Sequence, residues 1–123
     1  MRVGSVVVDC NDFAAMLAFW RAALRYEPRE PPEDGWVVLQ DPAGADVNVS
    51  LQQVPEPRAG KNRLHLDLYS DDQAGEVERL LGLGARRVDI GQGEVPWAVL
   101  ADPEGNEFCV LASLATLDQN GSP

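Results

Sequence analysis

His65 is the sole histidine in a chain of 123 residues, and so the one side chain of the type that exchanges protons near neutral pH. Asp67 follows two positions later, so a strand would place both on one face, with Cα atoms about 7 Å apart, adjacent but not necessarily in hydrogen-bond reach. Glu107, directly after Asn106, has an acidic counterpart in Asp46. With His65 as general base or acid, and Asp67 or Glu107 assisting, these residue types suit proton-transfer chemistry. Each also has a plain structural reading. A lone histidine is often satisfied by a neighbouring carbonyl or carboxylate, and Glu107, Asp46 and Asp9 can be solvated strand ends. Cys109 invites a nucleophilic role, but free cysteine is among the most buried residue types, and no helix N-terminus or cationic neighbour is evident around it.

The elements that must position these groups come in two copies. Trp36-Val-Val-Leu-Gln-Asp-Pro-Ala-Gly44 returns as Trp97-Ala-Val-Leu-Ala-Asp-Pro-Glu-Gly105, in each case a strand-like run feeding a turn. Asp at the first turn position, Pro at the second and Gly at the fourth suit a type I turn. Ahead of the first copy, Val3 to Asp9 reads as a strand and Asn11 or Asp12 as a helix cap. Phe13, Met16, Leu17, Trp20 and Leu24 recur at helical spacing, and the helix should end near Arg25. Ahead of the second copy, Leu64, Leu66 and Leu68 alternate with Arg63, His65, Asp67 and Tyr69; Asp71 or Asp72 caps the next helix. Ala74, Val77, Leu80 and Leu81 are its buried stripe, Gly84 its left-handed terminus, and Arg86 to Ile90 a further strand.

Each half therefore reads as βαβββ, an α+β arrangement with helices on one face of the sheet. Module one spans 1–53, a Pro- and Gly-bearing linker 54–61 and module two 62–114, together a single domain 1–114. The residues 115–123 read as a disordered tail. Strand alternation sends His65, Asp67 and Tyr69 to the face away from the helix, with Ser5, Val7 and Asp9 in module one. On the final strands, Asp46, Asn48 and Ser50 oppose Val47 and Val49, while Glu107 and Cys109 oppose Phe108 and Val110. That face is polar and acidic, and Trp36 and Trp97 are expected to pack at equivalent points of the sheet.

Ten basic and twenty acidic residues give a net charge of −10, which opposes nucleic acid and anionic membrane surfaces as partners. No apolar run approaches the roughly 20 residues that span a bilayer. The two cysteines form no C-x-x-C pair, and the first residues enter a strand-like run with no secretory pattern, so a reducing cytoplasm is the expected location.

Four features together, the paired βαβββ order, Asp12 followed by Phe19-Trp20, Asn62-Arg-Leu-His-Leu-Asp-Leu68, and Asp102-Pro-Glu-Gly-Asn-Glu-Phe-Cys-Val-Leu111, resemble the vicinal oxygen chelate superfamily. The likeness is closest to its glyoxalase-like and bleomycin-resistance-protein-like members and covers about residues 3 to 112. It implies an incomplete eight-stranded barrel around a cleft, commonly in a homodimer. Metal-dependent members carry a ligand on the first and last strand of each module. Counting seven residues before the capping aspartates and seven after each turn aspartate, those positions are Ser5, His65, Asn48 and Cys109. The pattern wants His or Gln on the first strands and Glu on the last, and only His65 matches, so neither metal nor other cofactor is expected.

The favoured function is binding of a small organic molecule, a cationic one suiting the acidic face, without the usual divalent ion. Ser5, Asp46, Asn48, His65, Tyr69, Glu107 and Cys109 are the candidate ligand-binding residues. Three alternatives remain. One is an isomerase- or lyase-type enzyme with His65, Asp67 and Glu107 as catalytic residues. Another is a metal-dependent lyase or dioxygenase with displaced ligands such as His65, Glu107 and Asp9 or Asp46. The last is an interaction module whose cleft has closed.

Overall fold

A computed structural model of the protein describes residues 1–89, 91 and 96–112. The chain divides into two compact units, Met1–Ala59 and Gly60–Pro123, each with its own helix and four-stranded sheet. The boundary falls inside the linker read from the sequence, and the 115–123 tail lies outside the described residues. Among those residues no helix is long and apolar enough to cross a membrane.

In the first unit the order is β1 (Ser5–Cys10), α1 (Phe13–Leu24), β2 (Glu27–Pro28), β3 (Trp36–Gln40) and β4 (Asn48–Gln53), with the strands arranged β1-β4-β3-β2. Asp12 caps α1 by accepting from the Ala15 amide at 3.1 Å, and the chain leaves the helix through Arg25 in the left-handed region at φ 56°. Met16, Phe19, Trp20 and Ala23 are the buried helix residues, and Phe19 meets Trp20 edge-on with ring centroids 5.1 Å apart. The sequence stripe thus needs correction: Phe13, Leu17 and Leu24 are only half-buried, whereas Phe19 and Ala23 are core. The helix packs on a sheet whose buried row is Val37, Leu39, Val49 and Leu51.

The second unit repeats the plan as β5 (Leu66–Tyr69), α2 (Gln73–Leu83), β6 (Arg86–Arg87), β7 (Ala98–Ala101) and β8 (Glu107–Leu111), in sheet order β5-β8-β7-β6. Asp72 caps α2 through the Gly75 amide at 3.1 Å. Gly84 ends the helix at φ 118°, a conformation a Cβ would strain. Val77 and Leu80 are buried on α2, but Ala74 is exposed and Leu81 half-buried. Leu64, expected under the helix, is 71% exposed because β5 begins only at Leu66. Strand β6 is likewise shorter than its expected 86–90 span, and Ile90 lies outside the described residues.

Both Asp-Pro-x-Gly segments make the expected turn, with the Gly44 amide donating to the Asp41 carbonyl at 2.8 Å and Gly105 to Asp102 at 2.9 Å. The hairpins nevertheless differ in length. Val38 pairs with Ser50 in the first sheet, while Val99, its sequence counterpart, pairs with Cys109 in the second. Ser50, not Asn48, is therefore the structural counterpart of Cys109, and Asn48 that of Glu107. The reason is local: the first hairpin runs from Asp41 to a strand beginning at Asn48, the second from Asp102 to one beginning at Glu107, two residues sooner.

Candidate functional site

The candidate site of the second unit lies on the sheet face away from α2. Parallel pairing of β5 with β8 puts Asp67 level with Cys109. His65 stands in the irregular lead-in just before β5, and its Nε2 reaches the Asp67 Oδ1 at 3.2 Å. The side chains thus close the gap that strand spacing alone leaves open. His65 and Asp67 are 46% and 32% exposed, whereas Cys109 is 5% exposed. Burial is the main cause that pushes the Cys109 thiol up to about 11, and the Asp67 charge and a hydrogen bond to its carboxylate add to it against a small opposing effect of Lys61. A thiol in this state is a protonated donor, not a free nucleophile.

Beneath these groups Val99, Cys109 and Leu111 form a buried apolar cluster, with Val88 and the half-buried Trp97 packed against it. Tyr69, next along the polar face of β5, is 56% exposed. Glu107 opens β8 half-buried, one carboxylate oxygen enclosed. The face therefore combines an apolar floor, an imidazole–carboxylate pair and a phenol, the mixture typical of small-molecule sites.

A polar relay missed in the sequence fixes the His65 lead-in. The Asn62 Nδ2 donates to the Asn106 Oδ1 at 2.8 Å, and the Asn106 Nδ2 donates to the Asp102 Oδ2 at 2.8 Å. Asp102 is 1% exposed and also accepts the Glu104 and Asn106 amides, each at 2.9 Å. The signal available beforehand was the asparagine directly after the Asp-Pro-Glu-Gly turn, which the first hairpin replaces with Ala45.

In the first unit the corresponding face carries Ser5, whose Oγ lies 2.6 Å from the Ser50 Oγ and donates to the Asn48 carbonyl at 3.4 Å. Ser5 pairs in register with Asn48, and Ser50 is fully buried. Asp46 does not join them. It precedes β4 in the hairpin loop, exposed, its amide donating to Asp41 at 3.2 Å. Its charge acts instead on Tyr26, whose hydroxyl is pushed upward first by burial and then by Asp46 and Asp41. The expectation that Asp46, Asn48 and Ser50 alternate with Val47 and Val49 along one strand is corrected accordingly, since Asp46 and Val47 precede the strand. Trp36, at the start of β3, is 42% exposed, so it does not pack as Trp97 does.

The ligand set implied by the superfamily does not fit the first unit, where Ser5, Ser50 and Asn48 offer only hydroxyls and an amide. The second unit does bring suitable donors together: the ligating atoms of His65, Asp67 and Cys109 lie within 4.8 Å of one another. An open groove of about 430 Å³ lies elsewhere in this unit, between α2 residues including Gln73, Val77 and Glu78 and the chain around Arg87 and Trp97. His65 and Asp67 do not line it.

Solved structures with the same fold are numerous. The chain superposes with a TM-score of 0.75 on a glyoxalase/bleomycin resistance protein/dioxygenase family enzyme from Burkholderia phytofirmans PsJN, at 18% identity over 93% of this chain and 100% of that one. The fosfomycin resistance protein FosX from Listeria monocytogenes gives 0.74 at 12% identity over 98% of both chains. The trypanothione-dependent glyoxalase I of Leishmania major gives 0.68 at 13% identity over 97% of this chain and 91% of that one. At these identities the likeness concerns the fold alone. No curated protein sequence is significantly similar to the chain. The sequence itself matches the glyoxalase-like domain family across residues 5–111, the whole span of both βαβββ units, and the chain belongs to that family.

Proposed function

We propose that the chain binds a small organic molecule on the β5–β8 face of its second unit, with His65, Asp67, Tyr69 and Glu107 as polar contacts over the apolar floor. The observation that carries this reading is the His65–Asp67 pair, held at 3.2 Å beside the buried Val99–Cys109–Leu111 cluster. A ligand with an apolar body and one basic nitrogen fits that mixture, and a net charge of −10 favours the approach of a cation. The ion at the superfamily's usual four positions is not needed for such binding, and a homodimer, checked by light scattering, is part of the same reading.

Calorimetry against a panel of cationic aromatic and polycyclic natural products tests it. Asp67→Asn and Glu107→Gln should each weaken the best ligand by about tenfold, the cost of one charge-assisted contact of roughly 1.5 kcal/mol. Affinity unchanged in both variants would remove the acidic-face assignment.

The same 3.2 Å contact favours a second reading, in which Asp67 orients His65 for acid–base catalysis of an isomerisation or ring-forming step. Once a turned-over substrate is known, undiminished turnover by His65→Ala would sink it.

A further inference from the structure

We propose that the groove between α2 and the β6–β7 edge of the second unit is a binding site for a small aromatic carboxylate, Arg87 holding the carboxyl group and Trp97, Val77 and Ala98 the ring. The groove measures about 430 Å³, within the span of roughly 300 to 1,000 Å³ usual for small-molecule sites. It opens on the helix side of the sheet, whereas His65, Asp67 and Cys109 stand on the face away from α2. The site therefore goes beyond the function proposed above, in its place and in the charge of its ligand.

The internal duplication explains why this space is open. Counted from the capping aspartates Asp12 and Asp72, Phe13 and Leu17 of α1 correspond to Gln73 and Val77 of α2. Counted from Trp36 and Trp97, the buried Val37 beneath α1 corresponds to Ala98. At all three places the second unit carries the smaller side chain. Gln73 closes the end of the groove without filling it: its Nε2 donates to the Pro96 carbonyl at 3.0 Å and to the Val110 carbonyl at 2.8 Å, tying the start of α2 to the strands. Val77, 4% exposed, and the half-buried Ala98 make an apolar floor, and the half-buried Trp97 is a wall.

Arg87 is the one cationic side chain among the groove's lining residues, and its pairing with Leu100 sets it on the same side of the sheet as Ala98. Its ion pair with Glu78 is long, 3.6 Å against 2.7 Å for Arg21 with Glu27, and the two side chains are 62% and 74% exposed. A pair of that kind contributes little. A carboxylate that meets the guanidinium fork with two parallel hydrogen bonds replaces it with a stronger contact. The attached ring buries apolar area on Val77 and Ala98, and its packing against the Trp97 indole adds to that. A cationic ligand would find only Glu78, whose charge Arg87 already balances. The net charge of −10 opposes long-range attraction of an anion, so recognition rests on contact inside the groove.

The test is calorimetric titration of the full-length protein with 2-naphthoate, and with 2-naphthamide as its neutral counterpart. The expected result is saturation at one equivalent by the acid, with the amide at least about tenfold weaker, the loss that goes with one charge-assisted contact. Arg87→Gln should weaken the acid by the same factor, whereas Glu78→Gln should tighten it by up to about fivefold, because it frees the guanidinium from an exposed pair. Ala74→Leu, at an exposed lining position, should fill the groove and abolish binding. All three substitutions are at exposed residues, so the fold should survive them. No saturable binding of the acid, equal affinity for the amide, undiminished affinity in Arg87→Gln or Ala74→Leu, or weaker binding in Glu78→Gln would overturn the proposal. The probe is an anion and the variants leave His65 and Asp67 untouched, so this site and the cation-binding face can fail independently.

Discussion

Cys109 shows how far a side chain's chemistry departs from its type. The sequence placed it on the face away from the helix and favoured packing over reactivity, and it is 5% exposed in an apolar cluster. Its partner Asp67 was legible as a neighbour of His65 but not as a neighbour of Cys109, because that contact depends on the offset between two strands. The thiol is raised from 9.0 to about 11, chiefly by burial. Folding therefore favours the protonated thiol, and between those values the native state holds more protons than the unfolded chain. The resulting stabilisation is full below the unfolded value and declines as pH rises from about 9 to about 11, by at most roughly 2.7 kcal/mol for two units. Urea unfolding of the protein across that window should show a steeper loss for wild type than for Cys109→Ala. Equal slopes would mean that the thiol is not held protonated by the fold.

The two Asp-Pro-x-Gly hairpins share a turn and diverge beyond its glycine. Asp41 accepts the amides of Ala43, Ala45 and Asp46, which hold its carboxyl below the usual range, the Ala43 bond contributing most. The same turn in the second unit buries Asp102 and uses Asn106 to extend the network to Asn62. Asp102→Ala removes the buried acceptor of three half-buried donors, the Glu104 and Asn106 amides and the Asn106 Nδ2, so it should cost about 2 kcal/mol by chemical denaturation. Asp41→Ala, at a more open turn, should cost less. If Asp41→Ala proved the more damaging of the pair, the relay would not be what stabilises the second hairpin. Helix caps, turns and βαβββ order were readable here because each depends on residues a few positions apart. The strand offset was not: counting from the turn aspartates matched Asn48 with Cys109, and two additional residues in the first hairpin shift that match to Ser50.

For the molecule as a whole, charge is the property that acts without any particular contact. With twice as many acidic as basic side chains, the surface potential should draw in cationic ligands, and added salt should screen it beyond a Debye length of about 8 Å near physiological ionic strength. Association rates of a cationic ligand measured by stopped flow should therefore fall as salt is raised, while those of a neutral analogue stay level. Salt-independent rates for the cation would show that the net charge plays no part in capture. The sequence by itself determined the α+β class, the turns and the helix ends, since these follow from short-range sterics and local periodicity, and the quoted motifs together carried the resemblance to the family. Only the tertiary structure decided that Asp46 stays in a loop beside Tyr26, that Ser5 meets Ser50, and that His65, Asp67 and Cys109 converge. Convergence depends on strand register and on side chains reaching across it, quantities set by hairpin length and packing between segments some forty residues apart, which spacing along one strand does not contain.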